Sequence, residues 1–235
     1  MSTAPTIVLV HGAFGDSGMW KGVIANLQAQ GYTAVAAANP LQGLESDAAY
    51  VAAVTNAVDG PVVLVGHSYA GAVITRAARD AANVASLVYV AAFQPDENES
   101  ALENAGRFPG AKMGPDTTSA ILHDGEPELR ILPEHYRDVI AGDLPTEVTD
   151  VLAVTQRGVF QRALTAELQG KPAWRSLPSW AVVATEDHAI PAAAQEFMAE
   201  RAGSAITRLA ASHAASISQP DTVADVIIEA AKATR

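Results

Sequence analysis

The 235-residue chain contains no cysteine. That absence excludes structural disulfides, thiolate metal sites and a cysteine nucleophile. No apolar run approaches the roughly 18 residues that span a bilayer. Positive charge is scarce: 15 Lys and Arg stand against 26 Asp and Glu, a formal net charge of −11. A nucleic-acid partner usually leaves a basic footprint, as does an anionic membrane surface, so neither partner is expected. Neither Gly-x-Gly-x-x-Gly nor a Gly-rich phosphate loop ending in Lys-Ser/Thr occurs, which argues against nucleotide use. There is no His-Glu-x-x-His pair, and the six histidines lack metal spacing, so no metal or other cofactor is expected. Met1 to Thr6 lack the basic stretch and cleavage pattern of a secretory signal, which makes a cytoplasmic protein the expectation.

The composition that remains is globular, with 49% hydrophobic and 17% charged residues. The length suits one large domain, or one domain with an insertion. Short apolar runs recur at Ile7–Val10, Ala34–Ala38, Val62–Val65, Leu87–Ala92, Ala181–Ala184 and, more weakly, Ala205–Ala210. Continuous apolar runs of this length read as parallel strands buried on both faces. Helical patterns lie between them at Met19–Gln30, Asp47–Val58, Tyr69–Ala81, Ala192–Ala202 and Asp221–Ala231. This alternation specifies an α/β fold with a doubly wound, mostly parallel sheet. From Pro95 to about Pro178 no convincing strand is visible, many Pro and Gly residues occur, and helical patterns sit at Glu134–Ile140, Glu147–Arg157 and Phe160–Leu168. Roughly 80 residues exceed an ordinary loop, so a functional insertion is expected. Residues 1–94 and 179–235 then form a core, and 95–178 a helical cap inserted in it.

The strongest chemical signal is Val62-Val-Leu-Val-Gly66-His67-Ser68-Tyr69-Ala70-Gly71. A buried strand runs into small-x-Ser-x-small and then into an Ala-rich helix, the context of a nucleophile elbow. The tight turn needs small flanks, which Gly66 and Ala70 provide, and it presents Ser68 at the carboxyl edge of the sheet. His67, next in sequence, should point away from the site. An acyl intermediate also needs donors for its oxyanion. The backbone N–H of Tyr69 is one candidate. The loop after the first strand, His11-Gly12-Ala13-Phe14-Gly15, offers Ala13 N–H as the other. His11 is expected to shape that loop through its ring nitrogens.

A serine nucleophile needs a base and an orienting acid. His213 follows the last strand and can reach over the sheet edge, so it is the candidate base. The acid should end a strand between nucleophile and base. Asp187 and Glu186 both qualify, and Asp96 is a third possibility after the preceding strand. His123 and His135 fall in the expected cap, with no role indicated. The order Ser, Asp, His is that of the α/β-hydrolases.

Together these pieces resemble the α/β-hydrolase superfamily. More narrowly, they are similar to small cofactor-free serine esterases of the methylesterase and hydroxynitrile lyase group. The segments that carry the resemblance are Val10–Phe14, Gly66–Gly71, Tyr89–Phe93, Asp187–Pro191 and Ser212–Ala214. They run in family order along the whole chain. The resemblance implies Asp187 as the acid, because an Asp followed by x-x-Ile-Pro is its usual form there. It also implies about six strands, since no counterpart of the superfamily's first two strands precedes Ile7.

The expected activity is serine carboxylic-ester hydrolysis through an acyl-enzyme, on a small hydrophobic or aromatic ester. Phe14, Phe93, Phe108, Met113, Tyr136, Phe160 and Trp174 are expected to line an apolar pocket. A hydroxynitrile lyase would place a lysine near the acid, and none lies near Asp187. Perhydrolase or carbon–carbon hydrolase chemistry on the same triad stays open, as does a ligand receptor that retains the triad. The sequence leaves monomer and homodimer equally open.

Overall fold

A computed structural model describes residues 4–123 and 125–234. In chain order the elements are β1 (Thr6–Val10), α1 (Lys21–Ala29), β2 (Ala34–Ala37), α2 (Leu44–Asn56), β3 (Val62–His67), α3 (Ala70–Ala77), β4 (Val84–Val90), α4 (Ala101–Ala105), β5 (Thr118–His123), β6 (Glu126–Ile131), α5 (Pro133–Ile140), α6 (Thr146–Thr155), β7 (Val159–Phe160), α7 (Gln161–Thr165), β8 (Ser179–Ala184), α8 (Ala192–Ala202), β9 (Ala205–Leu209), α9 (Ala215–Ser218) and α10 (Pro220–Ala233).

Six strands form one sheet in the order β2-β1-β3-β4-β8-β9. Every neighbouring pair in it is parallel. The two-residue pleat divides each central strand between two apolar layers. Ile7, Leu9, Val63, Val65, Val88 and Val90 face α1 and α10, with Trp20 and Trp180 in the same layer. Val8, Val10, Val62, Leu64, Leu87 and Tyr89 face α2, α3 and α8 on the other side. This two-sided burial explains why β1, β3 and β4 read as unbroken apolar runs. The edge strands β2 and β9 are only half-buried, and their sequence signal is correspondingly weaker.

The segment between β4 and β8 is not purely helical. It contains a second, three-stranded antiparallel sheet in the order β5-β6-β7. β5 pairs with β6 from Thr118↔Ile131 to His123↔Glu126. Asp-Gly between two strands is a strong hairpin signal. Here it was masked by poor alternation and by Pro127 inside β6. β5 is almost wholly exposed, so no buried face imposed a period-two pattern on its sequence. Among the described residues, no helix is long and apolar enough to cross a membrane.

Candidate active site

β3 ends at His67, and Ser68 follows with a left-handed backbone, φ +56°. A non-glycine residue there costs on the order of 1–3 kcal/mol, so surrounding structure has to impose the turn. Hydrogen bonds do so. Ser68 N–H donates to the Val90 carbonyl at 3.3 Å, and the Ser68 carbonyl accepts from Gly71 N–H at 2.9 Å and Phe93 N–H at 3.1 Å. A Cβ on Gly66 would stand 2.7 Å from the Ala70 carbonyl oxygen, so only glycine lets α3 start this close to β3. Gly12 is equally constrained, because a Cβ there would meet Ser68 Cβ at 2.6 Å. The loop after β1 is thus pressed directly against Ser68.

His213 follows β9 and turns back over the sheet edge. Its Nε2 lies 2.8 Å from Ser68 Oγ and its Nδ1 lies 2.7 Å from Asp187 Oδ2. A carboxylate only accepts, so Nδ1 carries the proton and Nε2 turns its lone pair to the Ser68 hydroxyl. All three residues are buried. Asp187 also accepts from the N–H groups of Ala189 and Ile190 on Oδ1, and from Gln195 Nε2 on Oδ2, each at 2.8 Å. Those bonds fix its orientation and compensate its burial. The alternative acids lie elsewhere: Glu186 is exposed, and Asp96 pairs with Arg175.

His67 departs from expectation. Its ring does not point away but packs against that of His213, with centroids 4.6 Å apart. Its Nε2 donates to the His213 carbonyl at 2.8 Å. Burial pushes its pKa well below the ordinary histidine range, and the adjacent His213 pushes the same way. His11 does shape its loop: Nδ1 donates to the Gly12 carbonyl at 2.9 Å, and burial lowers its pKa.

Ala13 and Tyr69 both border a small cavity of about 20 Å³ that also contains Ser68 and His213. Neither backbone N–H is engaged by another group among the described residues. The Tyr69 side chain is anchored, its hydroxyl donating to the buried Asp47 at 2.8 Å. Burial raises the Asp47 pKa against the opposing hydrogen bonds from Gln42, Tyr69 and Gly43.

Two larger cavities flank the small one. About 350 Å³ opens on the His213 side, bordered by Ala13, Phe14, Tyr136, Ile140, Leu152 and Ile217. About 250 Å³ opens beyond Met113 and Leu164. Phe14 borders all three spaces, and Phe93 and Met113 border the small one. Three expected pocket residues do not reach these cavities. Phe108 packs on Phe197, with centroids 5.7 Å apart. Phe160 is covered by the Arg162 guanidinium, 4.4 Å from its ring. Trp174 donates Nε1 to the Pro95 carbonyl at 2.9 Å beneath the Arg175 guanidinium. Phe108 thereby joins the segment between β4 and β8 to α8, while the named partners of Phe160 and Trp174 lie within that segment; sequence cannot separate either packing role from pocket lining. Tyr136, expected in the pocket, does border the 350 Å³ cavity. Asp47 and Gln195 were not predicted as parts of this network; they come from distant elements and share no spacing motif.

The profile of the alpha/beta hydrolase family matches residues 7–226. The chain belongs to that family. Among curated proteins, the alpha/beta hydrolase nvfD of Aspergillus novofumigatus (strain IBT 16806) is 27% identical over 248 residues, covering 97% of this chain and 96% of its own. Among solved structures, a pyrethroid hydrolase from Sphingobium faniae JZ-2 superposes with a TM-score of 0.80 at 24% identity, covering 98% of each chain. A tomato methylketone synthase I variant, solved with beta-ketoheptanoate, gives 0.81 at 19% identity, covering 99% of this chain and 100% of its own. At these identities the structural likeness establishes the fold.

Proposed function

We propose that this α/β-hydrolase is a serine carboxylic-ester hydrolase working through an acyl-enzyme. The observation that carries the reading is the unbroken contact from Asp187 through His213 to Ser68, with Ser68 held in a left-handed elbow. In this reading His213 Nε2 takes the Ser68 proton as Oγ attacks the ester carbonyl. The oxyanion settles on the N–H groups of Ala13 and Tyr69, whose preorganisation is the largest expected contribution to rate. His213 then protonates the leaving alcohol, and afterwards draws a proton from the water that releases the acid. Asp187 holds the tautomer throughout. Residues 95–178 act as a cap that shields the reacting groups from bulk water while admitting the one water that releases the acid.

The cavities suggest how the ester lies. His213 has to reach the leaving oxygen, so the alcohol part belongs in the 350 Å³ space on its side, and the acyl part points toward Met113 and Leu164. Both spaces are mainly apolar, which favours hydrophobic or aromatic esters. Intact-mass analysis after a fluorophosphonate tests the chemistry. One adduct on Ser68, lost in His213→Ala, is the expected result. An active enzyme that takes no adduct on Ser68 overturns the reading.

A further inference from the structure

One helix of the insertion reaches all three loops that carry the groups around Ser68. Tyr136 of α5 donates its hydroxyl to the Phe14 carbonyl at 2.9 Å, next to Ala13. Phe14 has a left-handed backbone, φ +60°, which needs an outside hold of this kind. Further along α5, the Asp138 carbonyl accepts from His188 Nδ1 at 2.8 Å, the residue after Asp187. In the turn leaving α5, Asp143 Oδ2 accepts from Ser212 N–H at 3.1 Å, and Asp143 Oδ1 accepts from the Ser212 hydroxyl. Ser212 immediately precedes His213. Its Oγ lies 3.2 Å from the Ile140 carbonyl that ends α5, and accepts from Ala214 N–H at 3.2 Å.

We infer that α5 is a strut that sets the geometry around Ser68 from the insertion, and that Asp143 is a positioning residue for His213, acting through Ser212. The inference rests on the serine-hydrolase reading above. His213 has to satisfy two contacts at once, 2.8 Å to Ser68 and 2.7 Å to Asp187. Its main chain is fixed at its own carbonyl by His67 and at the preceding residue by Asp143. A carboxylate accepts from an N–H and an O–H together. Asparagine keeps one acceptor oxygen and turns its amide donor toward one of the two Ser212 groups. Alanine keeps neither bond. The same helix presents Tyr136 and Ile140 to the 350 Å³ cavity, so an occupant of that cavity presses on the element that aligns the loops.

The test is the single-turnover rate at which a fluorophosphonate labels Ser68 in the wild type, Asp143→Ala, Asp143→Asn and Ser212→Ala, with the labelled fraction read at completion. Asp143→Ala should label about tenfold more slowly, since small misplacements of a catalytic group carry penalties of that size. It should still reach one adduct per chain. Asp143→Asn should fall between alanine and wild type. In p-nitrophenyl acetate turnover, kcat should fall by a similar factor while KM stays within about twofold, as for an interaction realised in the transition state. Wild-type labelling rates in both Asp143 variants overturn the inference. So does a loss confined to the labelled fraction, which would make the contact purely structural. A wild type that labels on Ser68 and shows the slowed variants, yet cleaves no ester, supports the inference and overturns the ester reading. A wild type that never labels overturns both.

Discussion

His67 and His213 lie ring against ring, and His67 Nε2 donates to the His213 main-chain carbonyl at 2.8 Å. The residue before Ser68 therefore holds the backbone of the residue that faces its hydroxyl. A glutamine at 67 can place a donor nitrogen near the same point, and an alanine cannot. His67→Gln should keep kcat within about threefold, and His67→Ala should lose about tenfold, through misalignment rather than weaker substrate binding. Steady-state kinetics on an aryl ester separates the two. An alanine variant with wild-type kcat would show that the bond does not position His213.

The same burial makes stability depend on pH. His67 and His11 both have folded pKa values below the ordinary 6.5, because burial disfavours the charged ring. A depressed histidine favours folding when it is neutral. That contribution is fully present above pH 6.5 and is lost as pH falls below it, because the unfolded chain binds the protons first. Each ring contributes a slope of up to about 1.4 kcal/mol per pH unit until its own folded pKa is reached. Urea midpoints should drop steadily from pH 7 to pH 5 at constant m-value. A flat profile over that window would show that the buried rings protonate without unfolding.

Asp187 accepts from His213 and three other donors. Asparagine is nearly isosteric but presents one acceptor oxygen. With its amide toward His213 it would force the imidazole proton onto Nε2, against Ser68. Asp187→Asn should lower kcat by about 10⁴-fold with the fold intact. A loss under about tenfold would point to another carboxylate orienting His213.

Asp47 is a buried carboxyl held by Gln42 N–H, Gly43 N–H and the Tyr69 hydroxyl. Removing that hydroxyl leaves a charge short of one donor. Tyr69→Phe should destabilise the protein by about 1.5–3 kcal/mol at pH 7. Burial already raises the Asp47 pKa, and losing a donor raises it further. A raised carboxyl pKa favours folding in acid and opposes it above the unfolded value. The destabilisation should therefore shrink toward pH 4. Paired urea titrations at the two pH values test the sign; equal losses at both would mean that Asp47 is already neutral at pH 7.

The parts legible in sequence are those where one physical requirement dominates several adjacent residues. Val62–Val65 had to be apolar on both faces, Gly66 and Gly12 had to lack a Cβ, and Ser68 had to follow a strand. The β5–β6 hairpin lay outside that logic, because β5 is exposed and β6 mostly half-buried, so neither carries an alternating burial pattern. The joins made by Tyr136, Asp143 and His67 were invisible for a different reason. Each pairs a side chain with a backbone group far along the chain, and a backbone carbonyl or N–H leaves no residue-type signature. The aromatics of the insertion failed in the opposite way: Phe160 and Trp174 carry the right chemistry for a pocket, but their neighbours turned out to be arginines.

The orientation of the ester can be decided at Leu152. This residue of α6 borders the 350 Å³ cavity on the His213 side and neither of the other two. Tryptophan at 152 adds a ring to that space from α6, outside the loops that carry Ser68, Asp187 and His213. If the alcohol occupies the cavity, 2-naphthyl butyrate should lose about 10–100-fold in kcat/KM while methyl butyrate, with the same acyl group, changes little; pocket fit is worth differences of this order. A series of methyl esters of increasing acyl length should respond no differently from wild type. The reverse pattern, with long acyl chains penalised and the naphthyl ester spared, would place the acyl group beside His213 and exchange the two compartments.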